Sequence, residues 1–329
     1  MQNKEFEISC NSRLHLGLFS MHENGVRING GIGFAIELPE IRVQIKPSSE
    51  FSIHDFRKKG VSGSAVNRLL EKLENAYKKY SLHSFVSIEI TGDAESNHGF
   101  GTGTAIRLAS IEGLMLVNNK EISNDELVKL SGRGGTSGIG INTYFSGGLV
   151  IDLGRLNDGQ KKQPSSQVKD NVNYPLLLKQ SIMPDWSVGI CIPSNIASLN
   201  EEEEKRFFDK TCPISEFEAY KTIYHSLMGV YASVEEGTKS IFEDSIKLLQ
   251  NCEWKKEERG RHGVALLEIE KDLYKFGANV VGMSSLGPSL FFLADNVQHV
   301  IKLMKKSYPD YILLNTKASN QGRVIKCLN

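Results

Sequence analysis

An α+β fold in two lobes is predicted for this chain by three observations. Its 329 residues are enough for two cores of roughly 150 residues each. The first half opens on strands and turns, then delivers a glycine-rich turn into an apolar helix. The final third runs strand, helices, strand, helix, strand, as an α+β sandwich does. The first lobe is placed at 1–156 and the second at 176–329.

The elements follow in order. FEIS, RLHLGLFSM and GFAIELPEIRVQIK cluster β-branched and apolar residues and read as strands, separated by turn signals ENG and NGG. Residues 64–80 carry Val66, Leu69, Leu70, Leu73, Ala76 and Tyr77 at helical spacing. SFVSIEITG reads as a strand, the turn NHGFGTGT follows, and AIRLASIEGLMLVNN is an apolar helix. Ser123 with Glu126 three residues on marks a capped short helix over 123–131. A second glycine-rich stretch leads to the strand GGLVIDLG. The polar run 157–175 is read as a surface loop or lobe boundary. WSVGICIP is a strand, and three or four amphipathic helices are expected over 199–276. NVVGMSSLGPSLFFLADN reads as a turn then a strand, VQHVIKLMKK as a helix and DYILLNT as a strand.

Composition narrows the function class. Thirty-nine basic residues balance 39 acidic ones, so no global field draws nucleic acid or an anionic membrane; an anion site must be built locally. Five cysteines at long spacing give no zinc or redox pattern and read as reduced thiols. The N-terminus has no apolar leader run and no stretch approaches the length of a membrane span, so a cytoplasmic protein is expected.

The chemistry concentrates in glycine turns. Gly99, Gly101 and Gly103 alternate between a strand and an apolar helix, letting backbone approach an anion at a helix N-terminus. Thr102 and Thr104 add hydroxyls that either bind phosphate or ligate Mg²⁺; the plain alternative is a flexible turn with a threonine cap. The loop is neither a Walker A sequence nor a dinucleotide fingerprint. The second stretch holds Gly132, Gly134, Gly135, Gly138 and Gly140 beside Arg133, either an anion clamp or a surface arginine in a tightly packed loop. The third places Ser284 and Ser285 between Gly282 and Gly287, a further anion cradle or a turn.

With those motifs in place, the chain resembles the superfamily named for galactokinase, homoserine kinase, mevalonate kinase and phosphomevalonate kinase. Within it, the chain is most similar to the β-ribofuranosylaminobenzene 5′-phosphate synthases and related C-riboside synthases. The matching runs are S-R-L-H (Ser12 to His15), G-V-R-I-N-G-G-I-G (Gly25 to Gly33), G-F-G-T-G-T (Gly99 to Thr104), G-R-G-G-T-S-G-I-G (Gly132 to Gly140) and G-M-S-S-L-G-P (Gly282 to Pro288). They span almost the whole chain. The resemblance implies the GHMP-kinase-type fold, a ribosomal-protein-S5-like N-terminal lobe followed by a ferredoxin-like C-terminal one. The kinases' catalytic aspartate in a P-S-G-x-D run is Gly140 here, which argues against phosphoryl transfer.

The implied reaction joins C1 of phosphoribosyl pyrophosphate to a ring carbon of an aromatic or heteroaromatic acid, releasing CO₂ and pyrophosphate. The resemblance also implies Mg²⁺, no organic cofactor, a homodimer, and a setting such as tetrahydromethanopterin biosynthesis. Arg27, His15 and Asn29 are the implied catalytic residues, with Arg27 on a carboxylate or phosphate and His15 in proton transfer. Arg13, Gly30, Gly31, Arg133, Gly134, Gly135, Thr136 and Ser137 are implied to hold substrate, with the loop from Gly99 to Thr104. Ser284, Ser285 and Gly287 are implied at the 5′-phosphate or ribose. Two family carboxylates are replaced, by Ser20 and Asn29; Asn29 hydrogen-bonds but takes up no proton at neutral pH, and Glu23 is the nearby acid. An ATP-dependent small-molecule kinase and a non-catalytic phosphometabolite-binding protein are the competing readings.

Three other features read as structural. Glu201 to Glu204 suit a solvated helix N-terminus. Lys255, Lys256, Arg259 and Arg261 around Trp254 alternate with acids and suggest a mixed-charge helical face rather than a nucleic-acid patch. Asp152 is either a strand-end residue or a Mg²⁺ ligand.

Overall fold

The computed structural model describes residues 4–159, 161–164 and 174–328. Two long antiparallel strands form its spine: β1 (Phe6–Ser20) and β2 (Arg27–Ser48). β2 also pairs with β4 (Phe85–Thr91), β5 (Leu149–Asp152) and β6 (Arg155–Leu156). The short β3 (Ser52–Asp55) runs parallel to β4, and β7 (Leu177–Ser181) pairs with β5. The C-terminal β12 (Val324–Cys327) closes this eight-stranded sheet against β1. The second sheet is antiparallel, in the order β11 (Ile312–Lys317), β8 (Ser187–Ile192), β10 (Leu290–Ala294), β9 (Ala278–Met283).

Helices α1 (Gly63–Lys79), α2 (Thr102–Val117), α3 (Asn124–Ser131) and α4 (Ile139–Ser146) belong to the first half. The Ser62 and Ser123 hydroxyls cap α1 and α3 by accepting the Ala65 and Glu126 amides. α2 is apolar nearly all round, as a helix covered on several sides must be. Its buried residues pack with Val43, Ile45, Ile88 and Leu73 in one core.

The expected three or four helices after residue 199 are more numerous. They are α5 (Glu201–Thr211), α6 (Glu216–Tyr224), α7 (Ala232–Glu235), α8 (Lys239–Gln250), α9 (Glu253–Gly260) and α10 (Gly263–Lys275). A π-helical turn, His225–Tyr231, joins α6 to α7 without a break, so periodicity alone misses that boundary. α11 (Val297–Ser307) lies where VQHVIKLMKK predicts it.

Other differences are instructive. The NGG run at 29–31, expected as a turn, lies inside β2, with Asn29 at φ 62° and Gly30 at φ 79°. That left-handed step lets the chain pass hard against Gly154: a Cβ on Gly30 would stand 2.7 Å from the Gly154 nitrogen. The segment 278–294, expected as turn then strand, is a hairpin of two strands. The second glycine stretch feeds a helix, α4, that its glycines hide from a propensity reading. The polar run 157–175 falls partly outside the described residues, at 160 and 165–173. Sheet membership does not follow chain order, because β7 and β12 join the sheet built from the first half. Buried clusters join the halves: Leu14 and Phe34 of the long strands meet Ile190, Phe291 and Phe242 in one, and Leu18 and Met21 meet Phe207, Phe208 and Trp254 in another.

Candidate functional site

The 99–104 run turns at Gly99–Gly101 into the first three residues of α2 and forms one wall of a cleft. Gly101 is the helix N-cap in a left-handed conformation, φ 76°, which places the free amides of the first turn at the cleft. Two close approaches demand glycine. A Cβ on Gly99 would lie 2.2 Å from the Ser284 carbonyl oxygen, and one on Gly101 would lie 3.0 Å from Arg13 Cγ and Nε. A Cβ on Gly103 would lie 3.9 Å from Arg133 Nη2.

Cations gather at this turn. Arg13 donates to the Gly99 carbonyl through Nη1, while its buried Nε has no partner among the described residues. Burial pushes the Arg13 guanidinium down to about 10, against the pull of Glu204 and Glu258. Arg133 donates from Nε to Thr104 Oγ1 at 3.0 Å, and burial with the neighbouring Arg107 pushes it down to about 9. Arg68 from α1 and Arg107 from α2 also line the cleft. Sequence reasoning missed both, because a lone arginine on an amphipathic helix looks like any solvated one. A neutral protein thus builds a locally positive cleft.

The third glycine stretch supports the first. The buried Ser284 hydroxyl accepts the His15 amide at 3.0 Å and donates to the Gly99 carbonyl at 2.7 Å. It ties β1 to the glycine turn and is committed there, whereas Ser285 and Gly287 open on the cleft. Behind them Lys255 and Glu258 form a buried ion pair, 1% and 3% exposed. Lys255 Nζ donates to the Met283 carbonyl at 2.8 Å, and Trp254 Nε1 donates to Glu258 Oε1 at 2.7 Å. The mixed-charge face expected on α9 is therefore corrected: this part of it is interior and buttresses the 283–287 turn.

The acidic run at 201–204 divides likewise. Asn200 and Glu203 make a reciprocal capping box, Glu202 is exposed, and Glu201 and Glu204 face the cleft, Glu201 paired with Arg68.

Of the second stretch, Arg133, Thr136, Ser137 and Gly140 line the cleft. The Thr136 hydroxyl donates to the Gln163 carbonyl at 2.7 Å. Gly134 turns away, toward Ile141 and Tyr174, and Gly135 accepts a long hydrogen bond from Asn29 Nδ2, 3.4 Å. Arg27 is not brought to the glycine turns. Its Nε and Nη2 donate to the Leu153 and Gly154 carbonyls, and it opens on a separate cleft with Leu156 and Pro175. Asn29, Gly30 and Gly31 are buried beneath the site rather than facing into it. Ser20 and Asn29 stand opposite each other in the β1–β2 register, so the two replaced carboxylates are one cross-strand pair. Glu23 is exposed in the hairpin turn and lines neither cleft.

Resident Mg²⁺ does not fit at Thr104. Thr104 Oγ1 already faces the Arg133 guanidinium, a poor neighbour for a divalent cation. Among the described residues no group of three or more His, Cys, Asp or Glu could hold a metal. No described helix is long and apolar enough to cross a membrane.

This backbone superposes on homoserine kinase of Cytophaga hutchinsonii with a TM-score of 0.68 at 13% identity, covering 99% of this chain and 98% of that one. It also matches mevalonate kinase of L. major with a TM-score of 0.64 at 12% identity, covering 98% of this chain and 97% of that one. The chain has the GHMP kinase fold. The α+β expectation and the resemblance read from the glycine motifs both hold. No family model matches the chain. In sequence it is similar to β-ribofuranosylphenol 5′-phosphate synthase of Archaeoglobus fulgidus, 29% identical over 321 residues that cover 94% of this chain and 96% of that one. The enzyme of that name from Methanocaldococcus jannaschii is 28% identical over 332 residues, covering 97% and 99%. This GHMP-type chain thus matches these synthases nearly end to end.

Proposed function

We propose that this protein is a C-ribosyl transferase. It joins C1 of phosphoribosyl pyrophosphate to the ring carbon of an aromatic acid such as a hydroxybenzoate, with loss of CO₂ and pyrophosphate. The observation that carries the reading is the cleft where the Gly99–Thr104 turn, the α2 N-terminus, Arg13 and Arg133 converge. The names of its sequence relatives, synthases of a ribofuranosylphenol phosphate, support this reaction among those such a cleft could serve.

The chemistry suits the residues present. Departing diphosphate needs donors placed before the bond breaks, and backbone amides at a helix N-terminus with two desolvated guanidinium groups are such donors. Mg²⁺ enters this reading as the counter-ion carried in by the diphosphate, with Glu201 and Glu204 among the oxygen donors that line the cleft. Gly140, where a kinase would place its aspartate, offers no proton acceptor; a Cβ there would stand 3.5 Å from the Thr104 side chain.

The test mixes purified protein, MgCl₂, phosphoribosyl pyrophosphate and a panel of aromatic acids. Equal yields of pyrophosphate and CO₂ are expected. Formation of ADP from ATP and a hydroxylated acceptor would instead establish the kinase reading, and binding without turnover would establish a phosphometabolite-binding protein.

A further inference from the structure

Asp152 ends β5 and is fully buried, 0% exposed. Its carboxylate accepts the Gly154 amide on Oδ1 at 2.9 Å, and the Gly138 amide on Oδ2 at 3.0 Å. Oδ2 also accepts the Ser137 hydroxyl at 3.2 Å. Among the described residues no cation is bonded to it; Arg27, whose charge acts on it, is committed to backbone carbonyls. The Ser137 oxygen accepts the Ile139 amide at 3.2 Å and stands 3.3 Å from His15 Nε2. Ser137 and His15 both line the cleft.

The seat of the imidazole is built deliberately. The β1–β2 register shifts between His15 and Gly17, and such a bulge re-aims a side chain. A Cβ on Gly31 would lie 3.3 Å from His15 Nε2 and 2.5 Å from the Gly17 carbonyl oxygen, so only glycine leaves the ring its place.

Hydrogen-bond capacity sets the direction of the chain. A serine hydroxyl donates once and accepts twice. With Asp152 ionised, Ser137 gives its proton to the carboxylate and accepts from Ile139, so His15 must reach it as an Nε2–H donor. Nδ1 is then the imidazole's lone-pair nitrogen, and it makes no hydrogen bond among the described residues. With Asp152 protonated the chain reverses: the carboxyl donates to Ser137, Ser137 donates to Nε2, and the proton sits on Nδ1.

We propose that Asp152 and Ser137 are positioning residues that make His15 Nδ1 the proton acceptor of the cleft. The proposal rests on the ribosyl-transfer reading for the identity of the proton. As the acceptor ring carbon bonds to ribose C1, the C1–O bond breaks and its electron pair leaves with diphosphate. The ring hydroxyl gives its proton to Nδ1. When CO₂ departs, the electrons of its bond return to the ring, and Nδ1 gives the proton back to the ring oxygen. No proton is gained or lost overall.

Charged groups facing the chain are Arg13 on β1 and Lys255 on α9 toward His15, and Arg27 on β2 toward Asp152. Burial, then Arg13 and Lys255, hold His15 well below its usual value, so the free imidazole is neutral, as an acceptor must be. Burial pushes Asp152 up to about 7, so the polarity of the chain turns over near neutrality.

The tautomer can be read without any substrate, by long-range ¹H–¹⁵N correlation spectra of histidine-labelled protein, with His15 assigned from the His15→Gln variant. At pH 8.5 the wild type is expected to show Nε2–H. Ser137→Ala should lose that preference, Ser137→Thr should keep it, and Asp152→Asn should abolish its dependence on pH, with circular dichroism confirming that each variant folds. In turnover, Ser137→Ala should lower kcat roughly 10²-fold with KM within about twofold, the low end of what a proton-transfer group contributes, with Ser137→Thr restoring it. A wild-type Nδ1–H signal at pH 8.5, or a tautomer indifferent to Ser137→Ala, overturns the proposal whatever the substrate. The stated tautomers with no turnover on any aromatic acid would support this wiring and overturn the ribosyl-transfer reading.

Discussion

Gly99 and Gly101 matter for the atoms that a Cβ would meet. Gly99→Ala would drive a methyl into the Ser284 carbonyl and force a non-glycine residue to φ 86°. The expected cost is about 1–3 kcal/mol of stability from the left-handed backbone alone, measured by urea unfolding. Arg133 poses the opposite problem, a charge buried at a loss. Its depressed ionisation means that folding is penalised while the guanidinium stays charged, below about pH 9. An anion that offsets this penalty should stabilise the fold. Pyrophosphate is therefore expected to raise the melting temperature of the wild type and to raise that of Arg133→Ala much less, by differential scanning fluorimetry. Asp152 gives a pH signature of its own. Its folded value is raised from 3.8 to about 7, so the stability tied to it is full below 3.8 and lost as pH rises through 7. Relative to Asp152→Asn, the wild type should lose stability across that window and run parallel to the variant above it.

Among the elements, α9 was the hardest to read. A helix reading E-W-K-K-E-E-R looks solvated by composition, yet three of its residues are buried. The reason is tertiary: Lys255 and Glu258 satisfy each other, and Lys255 also serves the carbonyls of the 283–285 turn. Lys255→Met strands a buried carboxylate and should cost about 3–5 kcal/mol in chemical denaturation; adding Glu258→Leu should recover part of that loss. By contrast, α2 was legible. Its glycine turn and the mostly apolar sequence that follows announce a buried helix whose N-terminus faces something charged. Strand β2 falls between, since its 33–46 part reads as a strand but its left-handed step at Asn29 looks like a turn until Gly154 is seen beside it.

At the scale of the whole molecule, the last strand belongs with the first. β12 pairs with β1, and Arg323 on its approach grips Glu112 of α2 through Nε at 3.1 Å and through Nη2. Removing residues 320–329 should cost more than about 2 kcal/mol, since a charged hydrogen-bonded pair and an edge strand go together. Calorimetry of the truncated chain checks it, with a single lowered transition expected because the shared core makes the halves unfold together.

The sequence by itself determined the fold class, the three glycine turns and the place of the first before a helix, since local spacing and backbone freedom are properties of neighbouring residues. It also marked Arg13, His15, Arg133 and Ser137, which the structure places on one cleft. Only the tertiary structure decided that Arg27 opens elsewhere, that Ser284 is a tie between strands, and that Asp152 reaches His15 through Ser137. These depend on contacts between residues far apart in the chain, where burial and hydrogen-bond capacity, rather than residue type, choose each side chain's partner.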